Sequence, residues 1–431
     1  MLKKSGVVVG FDLGNDYSQI SYCRADQSMP DTMSLVMGEE QYNIPTVLCK
    51  MQGKDENSAW CAGNEALKGA SEKNGTLVEN LVLLAKNNVL LKVYEEEFTA
   101  DTLLMIFIKK TLAILTMYVR LEDIEAIAFT MHDMDAMLME TIRKAVQRLD
   151  MKHVKLYFLS HEDCFFQYII HQPNEMWVHD VLLYDYRADG MKSYLLQMNR
   201  KTNPVACFIE SETFSQMKPD NMMQTEGAQL PQLDAALLEI AKLQCETRNI
   251  TSVFLLGDFF SKEWCKESLR YLCHERRVFQ GNNLFSKGAC YGAREKVYTS
   301  TLSTAYVYLS DDKLRANIGM TCDRGREEIY FPILDAGTNW YDAKREFDVM
   351  LAKNNTITLN IAPVDGGKAR LAKISLEGLK VRGNKTNRVG LRFFMEDAQS
   401  VQIEITDKGF GEFFPSTGRM WRECLPLEVI S

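Results

Sequence analysis

The sequence predicts an α/β domain over residues 1–298, a connecting segment at 299–312 and an all-β domain over residues 313–431. Three observations carry this reading. Apolar runs of strand length alternate with helical periodicities through the first part of the chain. The first of those runs, Val7-Val8-Val9, ends in a glycine-containing turn that bears a carboxylate and a hydroxyl. After residue 313 the helical patterns give way to short alternating runs separated by turn residues.

That first turn, Gly10-Phe-Asp-Leu-Gly-Asn-Asp-Tyr-Ser18, has the grammar of a backbone that approaches a phosphate. Gly14 can take a positive φ at no steric cost. Successive peptide N–H groups in such a turn form an anion-binding concavity. Asp12 would face a divalent cation or its water shell, since such ions take oxygen ligands. Asn15 and Ser18 complete the candidate phosphate contacts. The same residues also suit an ordinary β-hairpin turn, with Ser18 a strand-surface hydroxyl.

The composition is that of a globular chain, with 46% hydrophobic and 25% charged residues in 431. A formal net charge of -8 argues against nucleic acid as the main partner, because that binding rests on clustered Lys and Arg. The sequence has no apolar run of bilayer-spanning length, so no membrane partner is expected. The Met-Leu-Lys-Lys-Ser start is too short for a signal peptide, and a cytoplasmic location is expected. The 11 scattered cysteines then read as reduced thiols and small core residues.

Residues 5–25 read as strand, turn and returning strand, and Ile44–Leu48 as a second short strand. Trp60–Ala62 leads through Gly63 into a helix. Thr99 is a plausible N-cap for a long helix with Leu103, Leu104, Phe107 and Ile108 at helical spacing. A strand at 124–129, a helix at 133–149 and a strand at 154–159 follow, ending in Ser160-His-Glu-Asp. Val181–Leu196 is two strands joined by a turn. A helix at 233–246 and a strand at 252–256 then break at Gly257-Asp258-Phe259-Phe260. Later come Asn282-Asn283 and a helix containing Gly288, then the β-prone Tyr306-Val-Tyr-Leu309.

In this order the segments resemble the actin-type ATPase superfamily, most closely the seventy-kilodalton heat-shock (DnaK-like) chaperones. Gly10–Ser18 is similar to the first phosphate loop of that family and Val181–Leu196 to the second. Ser160–Tyr168 resembles the helix start that carries its glutamate, Gly257 its adenosine motif, and Asn282–Ala293 its closing helix. The resemblance implies an actin-like fold of two ribonuclease-H-like halves, with ATP or ADP and magnesium as cofactors. It implies catalytic roles for Asp12, Glu162 and Asp185, with magnesium held through water by Asp12 and Asp185. Gly14, Asn15, Ser18, Gly190, Gly257 and Gly288 would contact or close upon the nucleotide. The family's catalytic lysine corresponds to Lys68, Lys73 or Lys86, and spacing does not choose among them.

The sequence departs from the family at named positions. Where the family has a run of glycines after the second aspartate, this chain has Tyr186, Arg187, Ala188 and Asp189 before Gly190. The second glycine of the adenosine motif is Asp258. Only about fifty residues separate the Leu195 and Ser252 strands, roughly half the family's spacing, which removes much of the adenine clamp.

Eight short runs follow: 314–320, 327–333, 346–351, 356–361, 370–376, 390–395, 401–406 and 412–414. Their turn signals are Asp365-Gly366-Gly367, Arg382-Gly383-Asn384 and Asp407-Lys408-Gly409. This pattern predicts an antiparallel sandwich and resembles the chaperone peptide-binding β-domain, without the helical lid expected to follow it. The implied partner is an unfolded or extended peptide, or a specific protein client, taken by strand addition and an apolar pocket. Two functions follow as expectations. One is a chaperone-like protein with weak or lost ATPase; the other is a non-catalytic interaction scaffold on the same frame. A sugar or small-molecule kinase is disfavoured, since the β-domain follows the core and no sugar-site pattern is visible.

Overall fold

The computed structural model describes residues 6–36, 38–52, 59–72, 74–149, 151, 153–188, 190–200, 204–217, 230–281, 283–310, 313–314, 316–324, 327–351, 355–363, 368–380 and 387–427. Asp189, Lys73, Asn282 and the turn signals at 365–367 and 382–384 lie outside these residues. The chain forms two compact units, residues 1–308 and 309–431.

The first unit begins with β1 (Val7–Leu13), β2 (Tyr17–Arg24), β3 (Asp31–Thr32), β4 (Ile44–Pro45), β5 (Leu48–Met51) and β6 (Trp60–Ala62). The expected strand at 44–48 is therefore two pieces in different sheets: β4 pairs β2, while β5 lies between β6 and β7 (Gly75–Val78). Two helices and a hairpin intervene, α1 (Asn64–Ser71), α2 (Leu81–Lys86), β8 (Leu90–Val93) and β9 (Glu96–Thr99). Then come α3 (Ala100–Leu115), β10 (Ile124–Met131), α4 (Ala136–Arg148), β11 (Lys155–Ser160) and α5 (His161–Ile170). Thr99 stands at the N-cap of α3, but its hydroxyl meets Thr102 rather than a backbone N–H. The side chains of Asp135 and Ser160 do cap α4 and α5, accepting from Leu138 N and Asp163 N.

The chain continues with β12 (Asp180–Arg187), β13 (Gly190–Asn199), β14 (Val205–Phe214), α6 (Leu230–Glu246), β15 (Ile250–Leu256), α7 (Lys266–Leu272), β16 (Arg277–Gln280), α8 (Leu284–Val297), α9 (Thr301–Ala305) and β17 (Tyr306–Tyr308). Two sheets repeat one plan. The first runs β11-β10-β1-β2-β3 and the second β16-β15-β12-β13-β14, with β17 added to β14. In each, the first three strands are antiparallel neighbours and the last two run parallel to the first. Strands buried on both faces read as continuous apolar runs, which is why Val7–Leu13 and Val181–Tyr186 lack alternation.

The helices that follow each last strand, α5 and α8, cross one another. Gly288 makes the crossing close, since a Cβ there would collide with the carbonyl oxygen of Cys164. Gly10 does the same for α8 against β1, where a Cβ would strike the Ser286 carbonyl. One buried cluster, including Phe165, Phe285, Cys290, Val8 and Leu183, joins the helices to both sheets.

The second unit holds β18 (Ala316–Arg324), β19 (Glu327–Leu334), β20 (Arg345–Leu351), β21 (Thr356–Pro363), β22 (Arg370–Ser375), β23 (Asn387–Met395), β24 (Ser400–Asp407) and β25 (Met420–Pro426). They make two four-stranded antiparallel sheets, β19-β18-β21-β22 and β20-β23-β24-β25. The expected strand at 412–414 is instead a turn closed by a Phe410–Phe414 bridge. The last strand lies further on, at Met420, where the sequence lacks a regular apolar alternation. The buried carboxylate of Asp407 organises the intervening loop, accepting from Gly409 N, Thr417 N and Thr417 Oγ1.

Candidate functional site

The two repeated hairpins aim Asp12 and Asp185 into one crevice. Asp12 is paired with Gln19 across the β1–β2 hairpin, and Asp185 with Lys192 across β12–β13. Both carboxylates are buried, at 1% and 4% exposure. Burying a carboxylate is unfavourable unless it is paired and hydrogen-bonded. Here the partner is Arg187. Its Nε donates to Asp185 Oδ1 at 2.9 Å, and its Nη2 lies 3.7 Å from Asp12 Oδ2. The guanidinium is sandwiched further by aromatic faces, 5.2 Å from the centre of the Tyr17 ring and 5.8 Å from that of Phe285.

His161, the first residue of α5, completes the group. Its Nε2 is 3.1 Å from Asp12 Oδ1, and its ring stacks on Phe285 with centroids 3.9 Å apart. Burial works to raise the Asp12 carboxyl, but His161, and then Arg187 and His132, outweigh it and hold the group below its ordinary value. Burial likewise works against a charged Arg187, and Asp185, Tyr17 and Asp12 overcome it, pushing its pKa well up. The guanidinium therefore stays charged between the two carboxylates.

Glu162 joins through a second pair. Lys192, facing Asp185 across its hairpin, donates to Glu162 Oε1 at 3.1 Å. Against the raising effect of burial, Lys192 holds the Glu162 carboxyl low. Asp12, Glu162 and Asp185 thus converge, each already neutralised by a cation or histidine of the chain itself.

The remaining expected contacts are dispersed. Gly14 is held by its own hairpin, since a Cβ there would collide with the Tyr17 carbonyl oxygen, and that Cβ position lies 3.5 Å from Arg187 Nη1. Asn15 turns outward, its amide nitrogen donating to Asn80 Oδ1 and its carbonyl oxygen accepting from Leu83 N. Ser18 is fully buried and shares a 2.8 Å hydrogen bond with Thr46 Oγ1. Gly190 closes the second hairpin opposite Arg187 with a φ of 130°. Gly257, with a φ of 95°, passes beneath the Tyr186 backbone, where a Cβ would collide with a carbonyl. Gly288 sits in the α5–α8 crossing. Of the lysines, Lys68 is exposed on α1 and Lys86 pairs with Asp133 at 3.3 Å.

The place where the resemblance puts adenosine is also filled. Phe259 lies against Tyr186 with ring centroids 4.9 Å apart, and Phe260 and Trp264 surround the same ring. Asp258 is tied across the crevice, accepting from Asn43 Nδ2 at 3.1 Å. Sequence reasoning did not single out His161, Lys192 or Tyr17. The seven-residue interval from Asp185 to Lys192, matching that from Asp12 to Gln19, was the available signal for Lys192.

A magnesium ion does not fit this donor set. The place the resemblance gives it, between Asp12 and Asp185, is taken by a guanidinium, and among the described residues no cluster of three or more His, Cys, Asp or Glu is arranged to hold a metal ion. A cavity of about 720 Å³ lies at the opposite end of β12, lined by Trp177, His179, Asp180, Arg200 and Tyr306, away from the carboxylates.

The chain belongs to the family of unknown function DUF5716, whose C-terminal profile matches residues 29–311. Residues 313–427 match a second profile, the domain of unknown function DUF8552. No curated protein matches the chain. No helix among the described residues is long and apolar enough to cross a membrane.

Proposed function

We propose that this chain is a non-catalytic interaction scaffold built on an actin-like, heat-shock-chaperone-like frame whose magnesium–nucleotide site has been replaced by an internal ion network. The repeated sheet order, with antiparallel strands one to three and parallel strands four and five in each half, supports the ribonuclease-H-like reading of both halves. The order of the two C-terminal sheets supports descent from a peptide-binding β-domain. The single observation that carries the loss of nucleotide is Arg187, which bridges Asp185 and Asp12 where a phosphate-bound metal would stand. Phosphoryl transfer depends on positioning and electrostatics around that metal. A guanidinium neutralises the carboxylates but offers no open coordination position.

A thermal-denaturation titration with magnesium and ATP tests this. An unchanged midpoint at millimolar nucleotide is expected, and a saturable rise would overturn the proposal.

One observation favours the other reading, a nucleotide-responsive chaperone-like protein. Tyr17 Oη, Gln19 Oε1, His161 Nδ1 and Tyr194 Oη are buried polar atoms without hydrogen-bond partners among the described residues. Such atoms normally find partners, and a bound polar molecule would supply them.

A further inference from the structure

We propose that the outer edge of β25 is a docking strand for an extended, acidic segment of a partner protein; the assignment rests on reading the chain as an interaction scaffold. Among the described residues β25 is the terminal strand of its sheet and pairs only with β24, in an unbroken register from Ser400–Pro426 to Thr406–Met420. Which backbone groups face outward follows from the flanking bonds. Asp407 N donates to Arg419 O, and Leu427 N donates to Gln399 O, so the odd-numbered residues of β25 bond to β24. In an antiparallel ladder the alternate residues turn their N–H and C=O away. Met420, Arg422 and Cys424 therefore present both groups to an incoming strand. Pro426 ends the run, having no N–H, and its carbonyl accepts from Arg370.

Among the described residues this edge carries none of the usual protections. Edge strands are commonly blunted by bulges, central prolines or a covering element. β19, one edge of the other sheet, has both a register break and Pro332. β25 runs seven residues, its proline is at the very end, and its residues are exposed or half-buried throughout.

The side chains specify the guest. Arg422 is 74% exposed on one face, where it also meets Glu404 at 3.1 Å. Arg419 and Arg370 mark the two ends of the strand. On the other face Trp421 and Leu425 are half-buried. Residues directly opposite in a pair lie on the same face. A matching strand therefore sets an acidic residue beside Arg422 and apolar ones beside Trp421 and Leu425, flanking the position opposite the exposed Glu423. A second copy of β25 is a poor guest. Outward residues must oppose outward residues: full overlap sets Glu423 against Glu423, a shift one way sets Arg422 against Arg422, like charges that repel, and a shift the other way sets Arg422 against Pro426, which has no N–H to give.

The probe is a synthetic peptide, Val-Glu-Val-Glu-Val-Glu-Val, titrated into the full chain, with a Val-Lys-Val-Lys-Val-Lys-Val peptide as comparison. Saturable binding of the acidic peptide alone is expected, with slowed amide exchange at Met420, Arg422 and Cys424. The amides of Trp421, Glu423 and Leu425, already bonded to β24, should not change. Arg422→Glu should weaken binding by about tenfold or more, and Cys424→Pro should abolish it by removing one outward N–H. Should Cys424→Pro fail to fold, Arg422→Glu and the exchange pattern still decide. No binding, equal binding of both peptides, or exchange protection elsewhere would overturn the assignment. A nucleotide-induced rise in thermal midpoint would instead strike the scaffold reading and leave this edge to be judged by its own exchange pattern.

Discussion

Arg187 stands in the second hairpin where Gly14 stands in the first, and the two positions face one another. Asp12 pairs with Gln19 and Asp185 with Lys192, so each aspartate is followed two residues later by the position in question. Arg187 Nη1 lies 3.5 Å from where a Cβ on Gly14 would be. One half bears no side chain at this position, where a Cβ would strike the Tyr17 carbonyl oxygen, and the other bears a cation.

Arg187 is accordingly a structural counter-ion. Replacing it with Ala leaves two buried carboxylates without their shared partner, and breaking a buried pair in this way costs about 3–5 kcal/mol. Urea unfolding should report that loss. Added magnesium should restore part of the stability in Arg187→Ala and leave the wild-type chain unchanged, because only the variant presents a free acidic pair.

The α5–α8 crossing sets a second expectation. Gly288→Ala forces a methyl group into the Cys164 carbonyl, and overpacking of this kind costs roughly 1–3 kcal/mol. Gly281→Ala is the control, since a Cβ there meets nothing within 4 Å. Chemical denaturation should separate the two variants clearly.

Glu295 predicts the shape of the acid limb. It pairs with His171 at 3.0 Å and accepts from Ser300 N at 2.9 Å. Burial raises its carboxyl, but the His171 hydrogen bond and Ser300 prevail and bring it down to about 2 from an ordinary 4.5. A depressed carboxylate contributes stability that is fully present above its unfolded value. That contribution should disappear as pH falls from 4.5 through about 2. Glu295→Gln should therefore flatten the stability profile over this window, as read by urea midpoints, and lower stability at neutral pH.

Much of the local order was legible in the sequence because period and capping encode it. The β1–β2 hairpin, α5 after Ser160 and the β12–β13 hairpin stand within three residues of where the pattern puts them. Other features were not legible, for physical reasons. Pro45 allows a strand to pass between sheets, so the run at 44–48 could not show that it belongs to two. Glu412–Phe414 has strand-like residues, yet Asp407 captures the loop backbone and a turn wins. β25 lacks a clean alternation because its faces are exposed or half-buried along an open edge. In the crevice, the carboxylates could be named from position alone. Whether Arg187 would point out to water or inward between them depended on the register that places it opposite Gly14.

Isothermal titration of the wild-type chain with ATP and magnesium tests the central claim most directly. With Arg187 seated between Asp12 and Asp185, no binding heat should be detected at millimolar nucleotide. A saturable heat that vanishes in Asp185→Ala would contradict the account and show that the crevice still opens to its ligand.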